Sequence, residues 1–589
     1  MLKKLIILGT VLAGTFLAGT VLVGFFAVNS NAVAGDLEAS LNLKQQGQPV
    51  TSKRWMIAAA NPYAVEAGAN ILAQGGTAAD AMVAAQSVLG LVEPQSSGLG
   101  GGAFLIWYDA DSGKLTSLDG RETASRHVTP DLFQDENGEP LKFYDAVVGG
   151  KSVGVPGTPA LMQDAHKRWG GLEWSGLFDD AITLAEDGFI VSPRLSMLVT
   201  RDQERLSRFD TTAQYFYPNG MPIEAGQTLK NSDYADTLNS LASDKGTSFY
   251  HGNIAEGIVN TVQTADGNPG MLDRHDMSGY MVKERPVVCV EYRGHDVCGM
   301  GPPSSGALTV GQILLMLERY DLSQMGPDAV DAWRLIGDAS RLAFADRGRY
   351  MADSDFVPVP VNGLINPDYL RARSQLLDGQ NALEDVAPGE PVFDIAEIYA
   401  DDNSLELPST SHISIVDQYG NALSMTTTIE NAFGSRLMTN GFLLNNEMTD
   451  FSFRSHKDGV LVANRVEPGK RPRSSMSPTI ILKDSKPHLI IGSPGGSRII
   501  GYVAQSIIAF IDWDMNVQEA VSMPHLINRF GTFDLEQGSE AERFSEPLSA
   551  LGFKVNVRGL TSGLHAIAIT ETGLEGGADP RREGLAVGD

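Results

Sequence analysis

The hydrophobic pattern opens with an apolar run from Leu5 to Val28, preceded by Lys3 and Lys4 and followed by Ala32-Val33-Ala34. A basic start, an apolar centre and a small-residue exit are the layout of an export leader. The run approaches membrane-spanning length, but a five-residue repeat (GTVLA, GTFLA, GTVLV) threads glycines through it. Residues 1–34 are therefore expected to direct export, periplasmic or secreted. Cleavage is favoured over retention as an N-terminal anchor, which would attach the protein to the membrane. Residues 36–53 are polar and read as a linker, so folding is expected to begin at Arg54 with the strand-like WMIAAA. Asn61 before Pro62 supplies a capping side chain and a residue whose missing N–H costs nothing in a first helical turn. It predicts a helix to about Ala73, ended by Gly75-Gly76, with a second helix over Thr77 to Leu91.

A glycine-rich turn in PQSSGLGGGAFLIWYD (94–109) leads into an apolar strand, and KLTSLDGRE (114–122) predicts its neighbour. Helical periodicity recurs at 157–169, 176–187, 307–319 and 328–348. VVCVEYRGHDVCGM reads as a hairpin turning at Arg293-Gly294. That turn sets Tyr292 opposite His295, and hence Cys289 opposite Cys298 at disulfide distance, with export making oxidation reasonable. Residues 376–408 are acidic, contain proline and lack periodicity, and read as a mobile surface segment. Behind them the pattern turns to strands: 412–430 as a pair around Tyr419-Gly420-Asn421, then 478–483 and 487–492. A glycine turn at Ser493 to Ser497, a helix at 499–512 and a closing strand at 564–570 complete it. Clustering of helices and strands argues for a layered α+β fold over a doubly wound one.

Composition narrows the function. Of 589 residues 42% are hydrophobic and 20% charged, the balance of a globular protein. The net charge of -27, without a basic stripe, sets the overall field against nucleic acid. Two cysteines exclude a disulfide-built scaffold. The ten histidines are scattered, with no HExxH and no Cys-x-x-Cys, so no metal is expected. The glycine clusters at 98–102 and 492–496 lack the full phosphate-loop and dinucleotide signatures and read as tight turns. Thr410 stands out by position, between the acidic segment and a buried-looking strand. A threonine freed as a chain N-terminus carries its own base, an α-amine with a pKa of about 8.

Seven ordered segments carry a resemblance: VEPQSSGLGGGAF (92–104), LDGRE (118–122), TSHISIVDQYGNALSMTTTIENAFGS (410–435), LLNNEMTDFS (443–452), RPRSSMSPTI (471–480), GSPGGSRII (492–500) and ADPRREGLAVG (578–588). From about Arg54 to Gly588 the chain resembles the γ-glutamyltransferase (γ-glutamyl transpeptidase) family of N-terminal-nucleophile hydrolases. The resemblance implies a four-layer αββα sandwich, one folded unit built from two autoprocessed subunits. A large subunit over 35–409 and a small catalytic subunit over 410–589 would stay together as a heterodimer after a cut between Ser409 and Thr410.

The resemblance also implies roles. Thr410 falls at the nucleophile, Thr428 at the threonine that positions it, and Gly495 and Gly496 at the oxyanion-hole glycines. Arg121, Ser474 and Ser475 match the groups that hold the substrate α-carboxylate. Asp450 matches the aspartate on the α-ammonium, with Glu447 at the adjoining position. Two departures stand out. Glu430 replaces the usual asparagine, which would put as many as three acids around the ammonium. The stretch between Phe451-Ser452 and Arg471-Pro472 is shorter than in members with a lid loop, leaving the balance of hydrolysis and transfer open.

The implied activity is ping-pong cleavage of glutathione and related γ-glutamyl donors, with water, amino acids or peptides as acceptors and no metal or organic cofactor. A β-lactam side-chain (glutaryl or cephalosporin) acylase on the same fold is the alternative, and Asp450 argues against it. A non-catalytic binding protein is another, opposed by intact Thr410, Thr428 and the glycine pair.

Overall fold

A computed structural model of the protein describes residues 30–589, except 394–398, 403, 405 and 408, with side chains described from Asp36. The leader expected over 1–34 lies outside the described residues as far as Asn29. Two seven-stranded antiparallel sheets stack on each other. The first runs 50–52, 573–578, 565–570, 486–492, 479–483, 295–300, 287–292, and the second 585–588, 56–59, 411–416, 422–428, 102–109, 114–120, 283–285. Successive strand side chains point to opposite faces. Ile57, Ala59, Leu105, Trp107, Ile413 and Ile415 accordingly share one core with the helices Pro62–Ala73, Ala78–Val92 and Thr158–Trp169. Met56, Ala58, Phe104 and Ile106 enter a second core, shared with Ile480, Ile490 and Ile567 of the first sheet. The helices Gly306–Leu317, Val330–Tyr350 and Ile499–Ile511 complete that core. Helix, sheet, sheet, helix is the αββα sandwich. A strand covered on both faces can read as an unbroken apolar run, as FLIWY does; in SHISIV both faces are buried too, but Ser411, His412 and Ser414 are buried among the apolar residues.

The helix starts form as expected: Asn61 accepts from Tyr63 N ahead of Pro62, and Thr77 caps the next helix in a capping box with Asp80. Three readings are corrected. The linker is in fact a helix, Ser30–Gln45, followed by a strand, Val50–Ser52. It docks by hydrogen bonds, Ser40 Oγ to the Ala586 carbonyl and Lys44 Nζ to those of Arg582 and Gly584 at 2.7 Å, which leave no apolar period in the sequence. The strand at 565–570 does not close the chain. Gly573–Ala578 pairs back onto it, and Leu585–Gly588 crosses to the edge of the other sheet. The acidic segment is not all surface: Asp402 and Glu406 are buried.

The hairpin Val287–Tyr292/His295–Met300 has the expected register, with Cys289 opposite Cys298 and their sulfurs bonded at 2.05 Å. Arg293 and Gly294 both take positive φ (52° and 74°), the turn whose twist suits a two-residue hairpin. A bridge closing so short a loop stabilises by about 2 kcal/mol. Replacing both cysteines with serine should therefore lower the melting temperature by only a few degrees. An unchanged melt, or free thiols in exported protein by mass spectrometry, would refute this.

Candidate active site

The site grows from the centre of the second sheet. Ser411–Val416 pairs with Ala422–Thr428, Ser411 opposite Thr427, so the same register brings Thr410 opposite Thr428. Their hydroxyl oxygens lie 3.3 Å apart, and both residues are buried. The Thr428 hydroxyl donates to the Ser409 carbonyl at 3.0 Å and accepts from Glu430 N–H at 2.9 Å. Thr410 Oγ1 also donates to the Ser409 carbonyl. Arg582 Nη1 donates to the Thr410 carbonyl at 2.8 Å, fixing the next peptide along the chain. Glu430 turns its N–H toward Thr428 by taking a left-handed backbone (φ 72°), a conformation asparagine adopts more readily than glutamate.

Thr410, Thr428, Glu430, Glu447, Asp450, Arg121, Ser474, Ser475 and Gly496 converge on one cavity of about 20 Å³, room for a water molecule and little more. Gly495 stands directly behind Gly496 and does not line it. Both glycines have positive φ (143° and 58°). A Cβ on Gly496 would meet the Glu406 carbonyl oxygen at 2.5 Å, because Glu406, Leu407 and Ser409 of the preceding segment close the cavity.

Charge in the cavity is paired internally. Arg121 Nη2 donates to Asp450 Oδ2 at 2.6 Å and Nη1 to Glu447, while the Pro472 and Arg473 carbonyls take further bonds. Burial alone would lower the Arg121 pKa, but Glu447 and Asp450 outweigh it and hold the guanidinium charged. Glu430 accepts from Asn446 Nδ2 and from Leu407 N–H. Burial raises the Glu430, Glu447 and Asp450 carboxyls well above the usual range. Asp450 repulsion adds to the effect on Glu430, and Glu406 repulsion to that on Asp450, while Arg121 pulls Glu447 and Asp450 the other way. Repulsion within so crowded a group of acids, together with burial, disfavours their full ionisation.

The model of the family described as Gamma-glutamyltranspeptidase matches residues 64–589. The chain belongs to this family. It is similar to the "Glutathione hydrolase proenzyme" of Bacillus subtilis (strain 168), 37% identical over 91% of this chain and 92% of that one. It is also similar to the "Acylase ACY 1 proenzyme" of Pseudomonas sp. (strain V22), 34% identical over 92% and 94%. Among solved structures it is similar to a cephalosporin acylase from Bacillus halodurans, with a TM-score of 0.81 at 26% identity, covering 92% of this chain and 97% of that one.

Several groups at this γ-glutamyltranspeptidase site were not singled out from sequence. Arg347 lies in the last turn of the helix Val330–Tyr350, Arg473 directly precedes the serine pair, and Glu406 lies in the acidic segment. A buried charge in an amphipathic helix or a polar loop leaves no mark in hydropathy. Glu122, buried behind Arg121, is another, its carboxyl raised to about 8 by burial against the opposing pull of Arg121. Its folded pKa lies above the unfolded value near 4.5, so its contribution to stability is complete below about pH 4.5. That contribution is lost as pH rises through about 8. Glu122→Gln, which has no proton to lose, should gain melting temperature relative to the parent between pH 5 and 8.5. A constant difference across that range in thermal melts would contradict the assignment.

Proposed function

We propose that the chain is an exported precursor that cuts itself between Ser409 and Thr410. It then acts as a γ-glutamyl hydrolase and transferase on glutathione and related donors. What supports the reading is the pair of hydroxyls, Thr410 and Thr428, both hydrogen-bonded to the carbonyl that would be cut. In processing, Thr410 Oγ adds to the Ser409 carbonyl carbon and the Ser409–Thr410 C–N bond breaks. The resulting ester is hydrolysed by water, leaving a Ser409 carboxylate and a free Thr410 α-amine. In turnover that amine takes the proton of the Thr410 hydroxyl as Oγ attacks the γ-amide carbonyl. Backbone N–H groups of Gly495 and Gly496 meet the developing oxyanion. The departing amine takes the proton, and water or an amino-acid or peptide acceptor releases the γ-glutamyl group.

Subunits 35–409 and 410–589 remain together because strand 411–416 lies between strands of both parts, 56–59 and 422–428. Residues 1–34 direct export. Among the described residues no helix is long and apolar enough to cross a membrane. The name of the Pseudomonas relative keeps an acylase in view, but glutaryl side chains carry no ammonium for Asp450. Mature protein should release cysteinylglycine from glutathione, and should form a γ-glutamyl peptide when glycylglycine is added. Release of neither amine from glutathione nor from a γ-glutamyl anilide would overturn the reading.

A further inference from the structure

Buried arginines in this protein come with carboxylates. Arg121, Arg347, Arg436, Arg471 and Arg473 are each ion-paired with a buried acid. Arg582 is the exception. It is buried, yet among the described residues its guanidinium has no ion pair and its Nε no hydrogen-bond partner. Nη1 donates to the Thr410 carbonyl at 2.8 Å. Burial and Arg194 push this group down to about 9, against the opposing pull of Glu93 and Asp579, so it is charged at neutral pH. A buried charge without a partner destabilises a fold, and an apolar side chain of similar volume would relieve that. Its presence directs attention to what it touches, the residue that carries both nucleophile and base.

The contact does not depend on the bond that is cut. Thr410 leads into strand 411–416 and Arg582 into strand 585–588, and both strands pair with 56–59. Lys44 Nζ fixes the arginine's own backbone by donating to its carbonyl at 2.7 Å. The freed α-amine would share a Cα with the carbonyl that Arg582 holds, so the guanidinium nitrogen lies within about 6.5 Å of it. A cation so close disfavours an ammonium.

Other charges face the pair from several elements. Glu93 and Arg194 approach the guanidinium from two helices, and Asp579 and Glu583 from its own segment. Asp579 is already paired with Arg581 at 3.0 Å. Burial keeps Tyr502, His412 and His565 uncharged. On the cavity side Glu430, Glu447 and Asp450 would favour an ammonium, but burial holds them toward their neutral forms and Arg121 pairs with two of them. Glu406 is paired with Arg347.

We infer that Arg582 is a positioning residue for the nucleophile: it fixes the Thr410 carbonyl, and its charge keeps the adjoining α-amine in the neutral form that can take the hydroxyl proton. The inference rests on the proposed role of the Thr410 amine and deepens it.

The test compares Arg582→Met, which removes the charge, with Arg582→Lys, which keeps it, as mature protein on a γ-glutamyl anilide between pH 5 and 10. The acid limb of kcat/KM, which reports the free enzyme, should move up by about one pH unit in Arg582→Met. Its loss relative to the parent should then be about ten-fold greater at pH 6 than at pH 9. Arg582→Lys should keep the parent's limb. A role in structure alone would lower activity by one factor at every pH. That result, or a limb moved as far in Arg582→Lys, would overturn the inference and leave the γ-glutamyl reading intact. A parent inactive on the anilide would instead defeat that reading. Should Arg582→Met fail to process, carbamylation of the parent's Thr410 α-amine by cyanate over the same pH range decides, followed by mass spectrometry. The amine should titrate below the ordinary α-amino value of about 8, and titration at or above it would overturn the inference.

Discussion

Purified precursor, kept free of protease, should convert into two chains that stay associated. The smaller should begin Thr-Ser-His-Ile and run from Thr410 to Asp589, 589 minus 409 or 180 residues. Thr410→Ala should remain a single chain indefinitely. The expectation follows from what surrounds one peptide bond. Its carbonyl oxygen accepts from Thr428 at 3.0 Å and from Thr410, its nucleophile is one residue away, and Arg582 holds the next carbonyl. As Thr410 Oγ adds to the carbonyl carbon, negative charge develops on the oxygen that Thr428 already contacts. Removing one such preorganised donor costs about 10²–10³ in rate. Thr428→Ala should therefore slow conversion by about 100-fold, and Thr428→Ser, which keeps the hydroxyl, should restore most of it. Gel bands followed over time and Edman sequencing of the small chain decide the matter. A Thr410→Ala protein cut at the same bond, or a small chain with another first residue, would sink the proposal.

Mature enzyme should strongly prefer γ-glutamyl over glutaryl donors, which differ only in the α-ammonium. Glu430, Glu447 and Asp450 lie together with Arg121 as the adjacent cation, so the ammonium side of the cavity is short of positive charge. A bound ammonium relieves the repulsion among the acids. A glutaryl group leaves it in place and adds nothing. Losing one partner of a desolvated charge pair costs about 2–5 kcal/mol, or roughly 30- to 4,000-fold in kcat/KM. Asp450→Asn should narrow the gap, mainly by weakening the γ-glutamyl donor. Because burial and mutual repulsion raise these acids and a bound ammonium favours their charged form, KM for the γ-glutamyl donor should fall as pH rises toward neutrality. Comparable kcat/KM for the two donors in the parent would promote the acylase alternative.

Much of the frame was legible because local physics wrote it into short stretches. Asn61-Pro62 and Thr77 mark helix starts by what their side chains and missing N–H do. Arg293-Gly294 dictates a turn and, through it, the Cys289–Cys298 register. The sequence places the second hairpin's turn at Tyr419-Gly420-Asn421, whereas the structure pairs Val416 with Ala422 and so centres the loop on Tyr419; that register, which sets Thr410 opposite Thr428, came from the structure. Helix Ser30–Gln45 escaped because it is held by Ser40 and Lys44 on distant carbonyls, and such bonds have no periodicity.

By itself, then, the sequence determined the strand and helix runs, the sandwich class and the set of groups matched to the site. Each depends on neighbours in the chain or on motifs of fixed spacing. Only the tertiary structure decided how the charges pair. Arg121 lies more than three hundred residues from Glu447 and Asp450, and Arg347 is distant in sequence from both Glu406 and Ser475. Which ion meets which is settled by the scarcity of water in the packed interior, where every buried charge must find an opposite one. Packing brings those partners together from separate elements, and no local pattern records the outcome.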